Sequence, residues 1–170
     1  MNRSFGIIYL LVITILHSHP VVKNLDIERF MGRWYVLALI PNWVEGKGDN
    51  SYDDYELNKD GTVDITYYAF QDGKEKNMKQ KGFVNKDEPG RWEVQFYDPY
   101  IPFFTAPYEV IILDSNYQYM VIGYPNNSFG WVMGRSTKIE DSIYQNILNE
   151  LESAFGYNKK DFHKVIHDKD

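Results

Sequence analysis

The sequence predicts an all-β fold: an eight-stranded antiparallel up-and-down barrel with a C-terminal α-helix packed outside it. Three observations predict it. Eight short segments rich in Val, Ile, Tyr, Phe and Trp follow one another from Trp34 onward, most of them alternating with period two. Turn residues separate these segments at roughly even spacing. One amphipathic segment follows the last of them. A meander of strands leaves two open edges, and closing it into a barrel removes both.

The elements read in order as follows. NLDIERFMG (24–32) is a short helical turn, and WYVLALI (34–40) is strand one, which breaks at Pro41. YDDYEL, TVDITYYAF, KGFV, RWEVQFY, YEVIIL, YQYMVIGY and GWVMGRS supply strands two to eight. The turns between them are NKDG (58–61), QDGK (71–74), KDEPG (86–90), LDSNY (113–117) and PNNSFG (125–130), built on Asp, Asn, Pro and Gly. In RWEVQFY the alternation separates Trp92, Val94 and Phe96 from Arg91, Glu93 and Gln95. YEVIIL sets Tyr108, Val110 and Ile112 on one face, while Glu109, Ile111 and Leu113 on the other are only partly polar, as if a further element covered them. That element is the helix at 140–155, whose stripe is Ile143, Ile147, Leu148, Leu151 and Phe155. Asp141 or Ser142 caps its start and Gly156 follows its end.

Composition narrows the function. The net charge of −6, with no dense Lys/Arg stripe, argues against nucleic acid as a partner. Fourteen Tyr and ten Phe in 170 residues favour strands and can line an apolar pocket. There is no cysteine, which removes disulfides, thiol catalysis and thiolate metal sites together. After a basic start, the apolar run at 5–16 has the length of a signal-peptide core and is short for a membrane span. Residues 1–20 therefore read as a signal peptide, with a cut after Ser18 as one option, or as an uncleaved N-terminal anchor. The folded domain is expected at 21–170.

Trp is costly to place, because its ring must be buried while its N–H finds a partner. An eight-stranded barrel is just wide enough for one small ligand, and a large flat residue at the start of strand one, Trp34, suits a plug for its floor. Gly32 lets the incoming turn pass close beneath, and Arg135 of the last strand is a candidate cation for the indole face.

These residues carry a resemblance. FMGRWYVLALIP resembles the Gly-x-Trp-Tyr signature (Gly32, Trp34, Tyr35) at the first strand of lipocalins. LDSNYQYMVIGYP resembles their Asp-x-x-Tyr segment (Asp114, Tyr117) between strands six and seven, and GWVMGRST resembles the motif whose Arg, here Arg135, packs on the signature Trp. The resemblance covers about residues 24–168. It is nearest to the bacterial outer-membrane lipocalins, relatives of apolipoprotein D, whose aromatic-Pro segment FYDPYIPFFTAPYEVIILD resembles. That subgroup typically carries a lipobox cysteine. This chain has none, so a lipid anchor does not carry over.

Counting by twos places Val36, Ala38, Ile65, Tyr67, Trp92, Val94, Phe96, Tyr108, Val110, Ile112, Tyr119, Val121, Trp131 and Met133 in the lumen. The resemblance adds Asp53 and Tyr55 of strand two, pointing inward with Leu57. Asp53, taken to lie near the mouth, either orients a polar head group or water, or stands as a solvated rim residue. The loop at 41–50 is expected to arch over the mouth. The implied function is binding, storage or transport of a small hydrophobic ligand, a fatty acid or lysophospholipid, by an exported protein, periplasmic or secreted. Outer-membrane association and peripheral membrane contact remain open, and the oligomeric state is unspecified.

No phosphate loop, dinucleotide fingerprint or Gly-x-Ser-x-Gly occurs, so neither a cofactor nor a catalytic residue is assigned. His163 and His167 are spaced i, i+4, but with only Asp161 and Asp168 beside them no metal site is assigned. Asn126-Asn127-Ser128 is formally a glycosylation sequon, without meaning in a bacterial host. Two rival readings stand: a lipid- or isoprenoid-modifying enzyme using an inward acid and Tyr, and a protein-binding module using the exposed aromatics at 97–104.

Overall fold

The computed structural model describes residues 18–42, 48–71 and 73–168. The apolar run at 5–16, and residues 43–47 of the loop expected to arch over the mouth, lie outside the described residues. A four-residue helix α1 (Ile27–Phe30) leads into β1 (Gly32–Leu39), β2 (Asp49–Leu57), β3 (Thr62–Gln71), β4 (Lys74–Val84), β5 (Arg91–Asp98), β6 (Tyr100–Leu113), β7 (Tyr119–Gly123) and β8 (Gly130–Gly134). Helix α2 (Asp141–Phe155) and a short strand β9 (His163–Lys164) follow. Each of the first seven strands pairs antiparallel with the next, and β8 pairs with β1, which closes the barrel. Among the described residues no helix is long and apolar enough to cross a membrane.

β1 is shared. Its residues 32–35 pair with β2, whereas Ala38 and Leu39 pair with β9. The C-terminal segment thus wedges between the two strands at the open half of the barrel. Val165 donates to the carbonyl of Leu37, Asn50 donates to that of Ile166, and His167 Nε2 lies 2.8 Å from the carbonyl oxygen of Val36. An edge that would otherwise be bare is covered by the chain's own end.

Two strands are longer than their apolar patterns suggest. β4 begins at Lys74, because Lys and Glu on its outer face mask the alternation of Met78, Gln80 and Gly82. β6 begins at Tyr100 and carries the whole aromatic-Pro segment. α2 buries Tyr144, Ile147, Leu148 and Leu151 against the wall. Its N-cap is Glu140, one residue ahead of the residues expected to cap it, and Gly156 closes it with φ of 73°, a left-handed conformation that glycine adopts without penalty.

Bulges decide which side chains enter the barrel. In β1, Val36 faces Met133 and Ala38 faces Val132, so Leu37 is an extra residue. In β6, Val110 faces Ile122 and Ile112 faces Val121, leaving Ile111 extra. Past each bulge the phase reverses. Ala38, Ile112, Tyr119 and Val121, expected in the lumen, pack instead in the cluster that α2 covers. For Tyr119 and Val121 the cause is Tyr117, whose φ of 59° turns the chain before β7 and resets the count. Met120 and Ile122 take the inward places.

The packed chain begins ahead of residue 21. His19 is buried, and its Nδ1 lies 2.7 Å from Oε2 of Glu109, which is buried as well. Its Nε2 meets Oδ1 of Asn127 at 2.6 Å, and its ring stacks on Tyr157. Arg91 donates both to the second carboxylate oxygen of Glu109 and to the backbone carbonyl of His19. Buried charges persist only when paired in this way. The hydrogen bond to Glu109 outweighs burial and raises the imidazole above its ordinary value. Burial pushes the Glu109 carboxyl up, but His19 and Arg91 together hold it below its ordinary value. The stabilisation from His19 is complete below about 6.5 and fades as pH rises through the raised value. That from Glu109 is complete above about 4.5 and fades as pH falls through the depressed value. His19→Ala is therefore expected to lower stability by about 1.5–3 kcal/mol between those two values, with a smaller loss at alkaline pH. Urea denaturation of both proteins across that range checks it; a loss that stays constant into alkaline pH contradicts it.

Candidate functional site

The site begins at its floor. Gly32 holds φ of 88°, which brings the chain from α1 into β1 directly beneath the barrel. Trp34 is fully buried and donates its Nε1 proton to the carbonyl of Phe30 at 2.8 Å, so the polar edge of the indole is satisfied. The guanidinium carbon of Arg135 stands 3.8 Å from the centre of the Trp34 ring. The same guanidinium donates to the carbonyls of Arg33 and Arg29 at 2.8 Å each and of Phe30 at 3.1 Å. Burial lowers its proton affinity, yet it remains a cation at any physiological pH. Asp114 accepts from the amides of Asn116 and Gln118, and the Tyr117 hydroxyl accepts from the amide of Asp26. The β6–β7 turn is thereby fastened to α1, whose start Asp26 caps. Tyr35 points away from the floor, edge-on to Tyr52 and His167.

Above the floor Phe30, Tyr55 and Trp92 meet edge to face, and Tyr108 stacks on Trp92 with ring centres 5.0 Å apart. The Tyr55 hydroxyl lies 3.1 Å from Oδ2 of Asp53 and 2.8 Å from the hydroxyl of Tyr108. Burial drives both phenols well above their ordinary range, and the Asp53 charge adds to the effect, so both stay neutral. Asp53 sits opposite Trp34 in the β1–β2 register. It is thus a deep residue bonded to Tyr55, not the mouth residue expected from the sequence.

Over this polar spot lies a cavity of about 200 Å³. Eight residues expected in the lumen line it: Asp53, Tyr55, Ile65, Val94, Phe96, Tyr108, Trp131 and Met133. Val36, Trp92 and Val110 pack in the core at its base, and Tyr67 packs beside Phe96 and Met78. The sequence reading missed Asn42, Met78, Gln80, Phe104, Ala106, Pro107, Ile122, Tyr124 and Phe129. Met78 and Gln80 are legible two apart once β4 is extended. Phe104 and Ala106 are legible in the same way, counting back by twos from Tyr108 once β6 is extended, since the register is unbroken as far as Gln95 opposite Thr105. Asp53 is the one acid on the cavity lining, and among the described residues no cluster of three His, Asp or Glu could hold a metal.

A family model described as a Lipocalin-like domain matches residues 25–167. Temperature-induced lipocalin-1 of Arabidopsis thaliana is 31% identical over 157 residues, spanning 85% of this chain and 81% of that protein. Outer membrane lipoprotein Blc of Citrobacter freundii is 28% identical over 131 residues, 75% of this chain and 72% of its own length. Among solved structures, insecticyanin from the tobacco hornworm Manduca sexta superposes with a TM-score of 0.72 at 14% identity, covering 91% of this chain and 87% of its own. With the closed barrel, the capped floor and this match over most of its length, the chain belongs to the lipocalin family.

Proposed function

We propose that this lipocalin binds and carries a small hydrophobic molecule, and that the ligand is a single-chain lipid, a fatty acid or lysophospholipid, seated chain-first. The observation that carries the reading is the cavity itself: closed below by Trp34, walled by Ile65, Val94, Phe96, Ile122 and Met133, and open above. Its volume of about 200 Å³ lies below the range of about 300–1,000 Å³ usual for drug-sized ligands. One slim acyl chain suits such a space better than a broad ring system. Asp53 at its base repels a carboxylate or phosphate, which leaves an anionic head group at the rim in water.

The mechanism is partition. Each buried methylene contributes about 0.8 kcal/mol, so about ten give roughly 8 kcal/mol before ordering costs, the scale of micromolar binding. No bond is made or broken. The Asp53–Tyr55–Tyr108 cluster spends its hydrogen bonds internally, and its neutral phenols are poor bases. The apolar run at 5–16 and the outer-membrane relative support an exported protein.

A series of saturated fatty acids from octanoate to stearate, titrated against tryptophan fluorescence with Trp131 on the lining, tests the proposal. Affinity is expected to rise with chain length to a plateau, with one ligand per chain. Phe96→Lys is expected to abolish binding by placing an unpaired charge in the cavity, whereas Gln95→Lys, one residue away on the other face, retains it. Affinity independent of chain length, or equal loss in the two variants, contradicts the reading.

A further inference from the structure

The turn between β7 and β8 is a lip of the cavity. β8 runs down towards Arg135 at the floor, so the turn ahead of it stands at the mouth. Tyr124 and Phe129 flank the turn, meet edge to face with ring centres 4.8 Å apart, and both line the cavity. Two side chains from elsewhere fasten it. The Tyr157 hydroxyl accepts from the amide of Tyr124 and donates to the carbonyl of Phe129. His19 holds Asn127 within the turn, where Asn127 keeps φ of 59° and donates its Nδ2 proton to the carbonyl of Phe155.

The chemistry at His19 demands a proton on both ring nitrogens. Nδ1 faces a carboxylate oxygen of Glu109, Nε2 faces the amide oxygen of Asn127, and both oxygens only accept. The Asn127 amide cannot turn round without setting its oxygen against the carbonyl of Phe155. Only the imidazolium satisfies both partners. When one proton leaves, the other stays with the carboxylate, the stronger acceptor, and the Nε2 lone pair then opposes Oδ1 of Asn127. The stack on Tyr157 loses its cation in the same step. Both fasteners of the lip weaken together.

Among the described residues, the charged and titratable groups facing this imidazole are Glu109 from β6, Arg91 from β5 and Tyr157 from the segment after α2. Glu109 is held below its ordinary value and the Tyr157 phenol is pushed up to about 12, so between them His19 is the group that titrates. We propose that His19 is a proton-operated latch on the lip, which retains the bound amphiphile while the imidazole is protonated and frees it when the proton leaves. The latch rests on the carrier reading for its ligand, but its own movement does not.

The probe is lysophosphatidylcholine, whose head group keeps one charge state throughout. Its release from the full-length protein is timed by stopped-flow tryptophan fluorescence between about pH 6 and pH 9, a range that brackets the histidine. Wild type is expected to release it about five-fold or more faster at the alkaline end, and His19→Gln to show no such slope. Asn127→Gly leaves the pair of His19 with Glu109 intact and suits the left-handed backbone, so it keeps the fold. It is expected to release the probe fast at every pH. A second readout needs no ligand. The chain has no cysteine, so a nitroxide on Ser128→Cys reports the exposed lip alone. It is expected to be ordered at the acid end and mobile at the alkaline end, and mobile at both in Asn127→Gly. A label indifferent to pH in wild type, or a slope that survives in His19→Gln or Asn127→Gly, overturns the inference. Absence of lysophosphatidylcholine binding at any pH sinks the lysophospholipid reading, and the nitroxide then decides the latch by itself.

Discussion

The contact between Arg135 and Trp34 is the constraint on which the rest depends. A barrel that holds a ligand must be open at one end and sealed at the other, and the seal must be made of side chains. Trp34 covers the floor, but an indole alone leaves the first strand, the entering helix and the last strand independent. Arg135 couples them. Its face lies on the ring while its N–H groups reach three carbonyls of α1 and the start of β1. A lysine could supply the charge but not the planar fork that serves ring and carbonyls together. Gly32, Asp26 and Tyr117 follow from the same demand, since each brings the chain beneath the barrel close enough for that fork to reach.

The polarity of the cavity follows from the floor upward. Asp53 and Tyr55 alternate inward beside Trp34, so the one acid on the cavity lining lies deep. Because the hydroxyls and the carboxylate bond one another, the spot is tolerated in an apolar surrounding. It also gives the cavity a direction, with negative charge at the base and water at the mouth. An anionic amphiphile then has one favourable orientation, with its head group at the mouth in water.

How much of this was legible in the sequence varied with the kind of signal. Eight strands, their turns and the covering helix follow from alternation, turn chemistry and one apolar stripe, and Gly32, Trp34 and Arg135 were found from their place in the order. Alternation correctly brought Ile65, Val94, Phe96, Tyr108, Trp131 and Met133 to the cavity, because their strands run unbroken there. It failed for Ala38, Ile112, Tyr119 and Val121, where an extra residue or a left-handed turn reverses the phase without any Gly or Pro to mark it. β4 was cut short because outward lysines hide a regular strand. The roles of His19 and of the segment after Tyr157 were beyond reach, since each depends on contacts with strands far away in sequence.

The most direct test of the central claim is a double-mutant cycle on Trp34 and Arg135. Wild type, Trp34→Phe, Arg135→Ala and the double variant are unfolded in urea under one condition. If the guanidinium acts through the ring it covers, the two losses are coupled by about 1–2 kcal/mol, the double variant losing less than the sum. Losses that add within about 0.3 kcal/mol would show the two residues to act separately, and the barrel floor would not rest on their contact.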